Sequence, residues 1–225
     1  MTTWPRKVDT VVLDVDGTLV DSNYHHTLAW WHAFREHGHQ VPAWRIHRAI
    51  GMGGDRLVSA VADDDVEREA GDGIRDAWEK HYDAVLDQVP PLPGAQELLG
   101  TLRDRGFQVA LASSGIPRHT RHAVDVLEAD DAAETTTTGD DAEASKPDPE
   151  LLEIALDRVD ADRAVLVGDS VWDVQSGREA GIPVIGLLTG GFGRAELEDA
   201  GADVVCEDLE ELRGRLDELL SPAPA

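Results

Sequence analysis

Three short apolar runs, each ending in Asp, Ser or Gly, limit the fold of this chain more than any other feature. They are Val11-Val12-Leu13 before Asp14, Gln108-Val109-Ala110-Leu111-Ala112 before Ser113-Ser114-Gly115, and Ala164-Val165-Leu166-Val167 before Gly168-Asp169-Ser170. Runs this short, separated by stretches of helical periodicity, read as strands of a parallel sheet with crossover helices. In such sheets ligands bind outside the carboxyl ends of the strands. The pattern therefore predicts that Asp14, Asp16, Ser113 and Asp169 converge at one sheet edge.

Asp14-Val15-Asp16-Gly17-Thr18 sets two carboxylates two residues apart directly after the first strand. There they could share a metal and a substrate. The plain alternative, an Asp-Gly turn, fits the glycine, but further chemistry-bearing residues at the same edge speak against it. Asp173 follows Asp169 by four residues, one helical turn on along the same face. Lys146, in Ser145-Lys146-Pro147-Asp148-Pro149, is one of three lysines (Lys7, Lys80, Lys146) against 17 arginines. A compact ammonium fits between a carboxylate and a phosphoryl group where a planar guanidinium would not.

Between the first strand and the next, residues 21–89 show no convincing strand. They read as helices over 24–38, with Leu28, Trp31 and Phe34 as the apolar stripe, then 44–50, 56–61 and 66–86. Pro90-Pro91-Leu92-Pro93-Gly94 marks the return to the sheet and a hinge. Helices are then predicted at 95–105, 117–128, 149–158 and 173–180, and strands at 108–112, 135–138, 164–168, 183–187 and 203–206. The tail 221–225 is expected to be disordered. Cys206, the single cysteine, reads as a core residue of the last strand.

In order and spacing, D-V-D-G-T at Asp14 to Thr18, the strand ending in Ser113, Lys146 in K-P-D-P, and G-D-S-V-W-D from Gly168 to Asp173 resemble the four signature motifs of the haloacid dehalogenase superfamily, on its phosphatase side. The resemblance spans about residues 8–206. It implies an α/β fold with a Rossmann-like parallel core formed by 1–20 and 90–225, and an inserted α-helical C1 cap at 21–89. It makes Asp14 the nucleophile that forms an aspartyl phosphate, and Asp16 the general acid and then base. The dehalogenase branch lacks that second acid, so Asp16 points to phosphoryl chemistry. Mg²⁺ would be held by Asp14, the Asp16 carbonyl and Asp169, with Asp173 beside or bound to it. Ser113, with Ser114, Gly115 and nearby backbone N–H groups, would bind a phosphoryl oxygen, and Lys146 would neutralise charge on the transferring group. In the cap, His25 would orient Asp16 or a substrate hydroxyl, and Arg48 and Arg56 are candidate substrate contacts. Trp30, Trp31 and Trp44 are cap core or pocket wall. The implied activity is hydrolysis of a small phosphomonoester, phosphoglycolate or a sugar phosphate. The alternatives are a phosphosugar mutase of the β-phosphoglucomutase type and a non-catalytic binding protein on the same fold.

Composition narrows the partners. With 45 acidic against 20 basic residues and a net charge of −25, the chain lacks the basic face that nucleic acid or an anionic membrane requires. No apolar stretch reaches the ~18 residues of a membrane span, and Met1–Lys7 lacks the apolar core of a signal peptide. A soluble, cytoplasmic monomer or homodimer acting on a small phosphorylated metabolite is expected. Few lysines, few large apolar residues and acids spread along the chain resemble the compositional bias of salt-in halophiles. In that reading, screening relieves self-repulsion as the Debye length falls from ~10 Å at 0.1 M salt to ~3 Å at 1 M. The melting temperature should therefore climb between 0.1 and 3 M KCl. A flat profile in thermal scans would remove the halophilic reading.

Overall fold

A computed structural model describes residues 8–220; Met1–Lys7 and the tail 221–225, on which two of the sequence expectations rest, lie outside them. The chain runs β1 (Thr10–Leu13), α1 (Asn23–Glu36), α2 (Ala43–His47), α3 (Gly54–Val61), α4 (Asp64–Asp83), α5 (Ala95–Asp104), β2 (Gln108–Ala112), α6 (Pro117–Val126), β3 (Thr135–Thr137), α7 (Glu150–Arg158), β4 (Ala164–Gly168), α8 (Val171–Glu179), β5 (Val184–Leu187), α9 (Arg194–Ala200), β6 (Val204–Cys206), α10 (Leu209–Gly214) and α11 (Leu216–Leu219). The strands form one sheet in the order β3-β2-β1-β4-β5-β6, every pair parallel. This is the α/β Rossmann-like arrangement expected from the apolar runs. Helices α9, α10 and α11 were not anticipated from the sequence, where 188–202 and 207–220 had no assigned element.

Successive strand residues point to opposite faces, and both faces are covered. Val11 and Leu13 pack with Val109, Leu111, Val165 and Val167 against Leu98, Leu99 and Leu102 of α5. Val12, Ala110 and Leu166 face the other way, onto Leu152 and Ala155 of α7 and Val174 of α8. Burial on both faces explains why these strands read as continuous apolar runs.

Helices α1 to α4 have a third apolar cluster of their own, including Phe34, Ile46, Leu57, Val58 and Ile74. Asp63 starts α4 by accepting a 2.8 Å hydrogen bond from the Val66 N–H, with Asp64, Asp65 and Glu67 in the first turn and Lys80 and His81 in the last. That charge order suits the helix dipole. The stripe on α1 differs from the one expected. Its buried face is His26, Ala29, Trp30, Ala33 and Phe34, whereas Leu28 is 54% exposed. Two chain segments join this helical unit to the sheet side by side: Asp21 N–H donates to the Pro90 carbonyl at 2.9 Å, and Leu92 N–H to the Leu19 carbonyl at 2.8 Å. No helix among the described residues is long and apolar enough to cross a membrane.

Leu111 is fully buried in β2, next to the central strand. Leu111→Ala should cost about 2–5 kcal/mol of unfolding free energy by loss of transfer energy and a residual cavity, read from urea denaturation monitored by circular dichroism.

Candidate active site

β1 lies between β2 and β4, so three strand ends deliver side chains to one point. Asp14 follows β1, Ser113 follows β2 and Asp169 follows β4. The turn after β4 is fixed by a capping box: Ser170 Oγ accepts from the Asp173 N–H at 3.2 Å, and the Asp173 carboxylate accepts from the Ser170 N–H at 3.1 Å. This places Asp173 in the first turn of α8 and turns its other oxygen toward the site. Lys146 comes in on the loop before α7. That loop is tied down by Ser176 Oγ donating to the Asp148 carbonyl at 3.3 Å and by the Glu150 carboxylate accepting from Glu143 N–H and Ala144 N–H at 2.8 and 2.9 Å.

Lys146 Nζ is hydrogen-bonded to Asp14 Oδ1 and stands 2.7 Å from Asp173 Oδ1. All three are buried. Burial works against the ammonium, but Asp14 and Asp173 more than offset it and raise the lysine pKa. Asp14, Asp169 and Asp173 each bring a carboxylate oxygen within 4.8 Å of the others. Burial, together with repulsion from Asp173, Asp169 and Asp16, pushes the Asp14 carboxyl well above its usual range although Lys146 pulls it down. Asp169 is pushed up to about 7 by burial and then by Asp173, against hydrogen bonds from Asn23 and Thr18.

Those raised values expose a charge deficit. Three carboxylates face one ammonium, which leaves two negative charges uncompensated in a buried pocket, and buried charge without a partner is costly. A divalent cation on the oxygens of Asp14, Asp169 and Asp173 makes up the difference, and an all-oxygen donor set suits a hard ion. The residues present therefore fit a metal. Thr18 Oγ1 and Asn23 Nδ2 hold the two oxygens of Asp169, each at 2.9 Å. The backbone closes in tightly around it: a Cβ on Gly190 would lie 1.8 Å from Asp169 Oδ2, and one on Gly17, whose φ is +80°, at 2.5 Å. Only glycine fits such approaches.

Asp16 sits in an opposite environment. Burial alone would raise it, but hydrogen bonds with His26, Ser22 and Ser113 hold it well below the usual carboxylate range. The distances are 3.1 Å from His26 Nε2, 2.7 Å from Ser22 Oγ and 3.2 Å from Ser113 Oγ. Gly115 N–H donates to Ser113 Oγ at 3.0 Å, and the Ser114 hydroxyl is buried without a partner. A small cavity of about 60 Å³ opens over Asp14 and Asp16, floored by Ser114 and Gly115 and roofed by His26, Trp30, Trp78 and Met52.

Three expectations need correction. His25 does not reach the site; its ring bonds the Asp21 carbonyl at 3.0 Å, and His26 is the residue on Asp16. His26 lies on the buried face of α1, whereas His25, its neighbour in sequence, is only half-buried. Arg48 lies outside the cavity, bonded to Glu196 and stacked over Phe192 at 4.0 Å. Arg56 also lies outside it, 3.9 Å from both Asp55 and Asp148. Of the tryptophans, Trp30 belongs both to the apolar cluster of α1 to α4 and to the cavity wall, whereas Trp44 is 69% exposed. Thr18, Trp78 and Tyr82 had no assigned role. Of these, Thr18 carried a signal, as the last residue of the D-x-D-G-T run.

The chain matches the family model "haloacid dehalogenase-like hydrolase" over residues 8–181. It is 30% identical over 213 residues to a phosphoglycolate phosphatase of Rhodospirillum rubrum, covering 90% of this chain and 88% of that one. It is 28% identical to a pyrophosphatase of Halalkalibacterium halodurans over 78% of this chain and 81% of the other. A hydrolase of Pseudomonas syringae superposes with a TM-score of 0.89 at 33% identity, covering 94% of this chain and 99% of that one.

Because protons and a cation compete for Asp14 and Asp169, metal binding should stabilise the fold more at higher pH. MgCl₂ added to chelator-treated protein at constant ionic strength should raise the melting temperature more at pH 7.5 than at pH 5. At about 100 times its Kd the gain is about 2.7 kcal/mol, and Asp169→Asn should lose most of it. Equal shifts at both pH values would contradict the site.

Proposed function

The chain belongs to the haloacid dehalogenase-like hydrolases, and from that premise we propose that it is a Mg²⁺-dependent phosphatase of small phosphate monoesters, working through Asp14. The observation that carries the reading is the Asp14–Lys146–Asp173 group beside Asp16, a nucleophile held against a cation with an acid/base group next to it. Residues 21–89 serve as a cap, since Trp30 and Trp78 come from that segment and roof the cavity.

Asp14 attacks phosphorus, the bond from phosphorus to the alcohol oxygen breaks, and Asp16 gives the departing oxygen a proton. Water then attacks the aspartyl phosphate while Asp16 takes its proton, releasing phosphate and restoring Asp14. Lys146 offsets the repulsion between Asp14 and the incoming phosphoryl oxygens. The Ser114 hydroxyl, which has no other partner at the cavity floor, supplies a donor for those oxygens. Asp14 and Asp169, with Asp173 and the Asp16 carbonyl, would hold the Mg²⁺, whose charge draws electron density from the phosphoryl group. His26 positions Asp16 rather than touching substrate.

Asp14→Asn should abolish phosphate release, because an amide cannot attack phosphorus. Asp16→Asn should slow it by about 10²–10⁴-fold if proton transfer is the main loss. Exhaustive chelation should stop the wild type. A malachite-green assay with an alkyl phosphate distinguishes these outcomes, and full activity of Asp14→Asn would refute the proposed nucleophile.

A further inference from the structure

Resting on that phosphatase reading, we infer that the substrate is a phosphate monoester whose alcohol part carries no second anionic group and presents an apolar or aromatic face to Trp30 and Trp78. Two independent features of the cavity and its mouth lead there.

The first is charge. No Lys or Arg lines the cavity over Asp14 and Asp16. Lys146 beneath it is committed to Asp14 and Asp173. The cavity shares Gly54, Trp78 and Ser114 with a neighbouring chamber of about 360 Å³. One arginine lines that chamber, Arg75. It already donates to both oxygens of Glu67 at 3.0 and 2.8 Å, to Asp72 at 2.8 Å and to the Gly54 carbonyl at 3.2 Å. Asp55, Glu79, Asp140 and Glu143 line the same chamber. Glu79 is paired with Arg118, and Asp140 and Glu143 are exposed. A carboxylate or second phosphate extending from the reacting phosphoryl group would enter a space with no free cation and several carboxylates, where like charges repel and strip solvent from one another.

The second is shape. Trp30 and Trp78 stack at 4.8 Å with 11° between their planes, and Trp78 continues onto His26 at 5.7 Å. Leu57, Ile50 and Met52 complete the wall. An aromatic stack flanked by aliphatic groups favours a flat or apolar ligand face and offers little to a small, strongly hydrated anion such as a glycolate carboxylate.

Paired substrates isolate the charge: phenyl phosphate against 4-carboxyphenyl phosphate, and ethyl phosphate against 2-phosphoglycolate, at one fixed ionic strength. kcat/KM should fall by about tenfold or more with each added carboxylate, the size of a single unfavourable charge contact. The double variant Asp140→Asn/Glu143→Gln should raise the ratio of 4-carboxyphenyl to phenyl phosphate turnover. Trp78→Leu should reduce kcat/KM for phenyl phosphate by about 2–10-fold more than for ethyl phosphate, the range of an aromatic contact. Preference for 2-phosphoglycolate or 4-carboxyphenyl phosphate over the neutral counterpart would overturn the inference and leave the phosphatase reading intact. Hydrolysis of none of the four would overturn the phosphatase reading and the inference with it.

Discussion

The bridge of one ammonium between two buried carboxylates, Lys146 between Asp14 and Asp173, is the contact on which the site depends. Neither carboxylate could be buried as an anion without it, and the ammonium could not be buried without them. Yet the bridge does not balance the pocket, because Asp169 adds a third negative charge whose direct hydrogen bonds come from the uncharged Thr18 and Asn23. The imbalance suits the pocket to a divalent cation, whose charge would in turn favour an anionic group beside Asp14.

Topology brings these groups together from residues 14, 113, 146 and 169, far apart in the chain. Because β1 enters the sheet between β2 and β4, its end is the point where successive connections turn to opposite sides, the place where parallel sheets open a crevice. The fit there is made by backbone as much as by side chains. Gly17 and Gly190 let the chain come within contact of Asp169, and the Ser170–Asp173 capping box spends one carboxylate oxygen on the helix start while leaving the other for Lys146. A single side chain thus ends a local structural problem and begins a catalytic one.

The sequence made the sheet side of this site legible because strand ends are marked by abrupt changes from apolar to Asp, Ser or Gly, and because each motif sits at such a change. It made the helical side much less so. On α1 the expected stripe is Leu28-Trp31-Phe34 and the buried one is Ala29-Trp30-Ala33-Phe34, and both contain a tryptophan. The packing against α4, which no local pattern encodes, selects the second and with it His26. Arg48 and Arg56 were attractive as cations near a phosphate site, but nearby carboxylates, abundant in so acidic a chain, hold them elsewhere. Helices α9 to α11 were missed because 194–220 is dense in Glu, Asp and Arg, and its few leucines only declare themselves as core once the sheet edge they cover is in place.

The two aspartates of the D-x-D pair are driven in opposite directions by surroundings only two residues apart, a separation that commonly marks different chemical tasks. Asp14 is crowded by other acids, so its negative charge is costly and becomes tolerable only beside Lys146 and a cation. Asp16 is surrounded by donors, so it rests as the anion, ready to take a proton from water in the second half of the proposed cycle. The first half asks it to begin protonated. An arriving phosphoryl group supplies the change, since a second anion packed against Asp16 raises its affinity for a proton. His26, 3.1 Å away and stacked on Tyr82 at 3.8 Å, keeps the carboxylate in place through both halves. Once phosphorus is bound to Asp14 and the alcohol has left, the three hydrogen bonds again favour the anion. The proton affinity of Asp16 can therefore follow the progress of the reaction with no movement of the sheet, which is a reason for the site to spend three buried donors on one carboxylate.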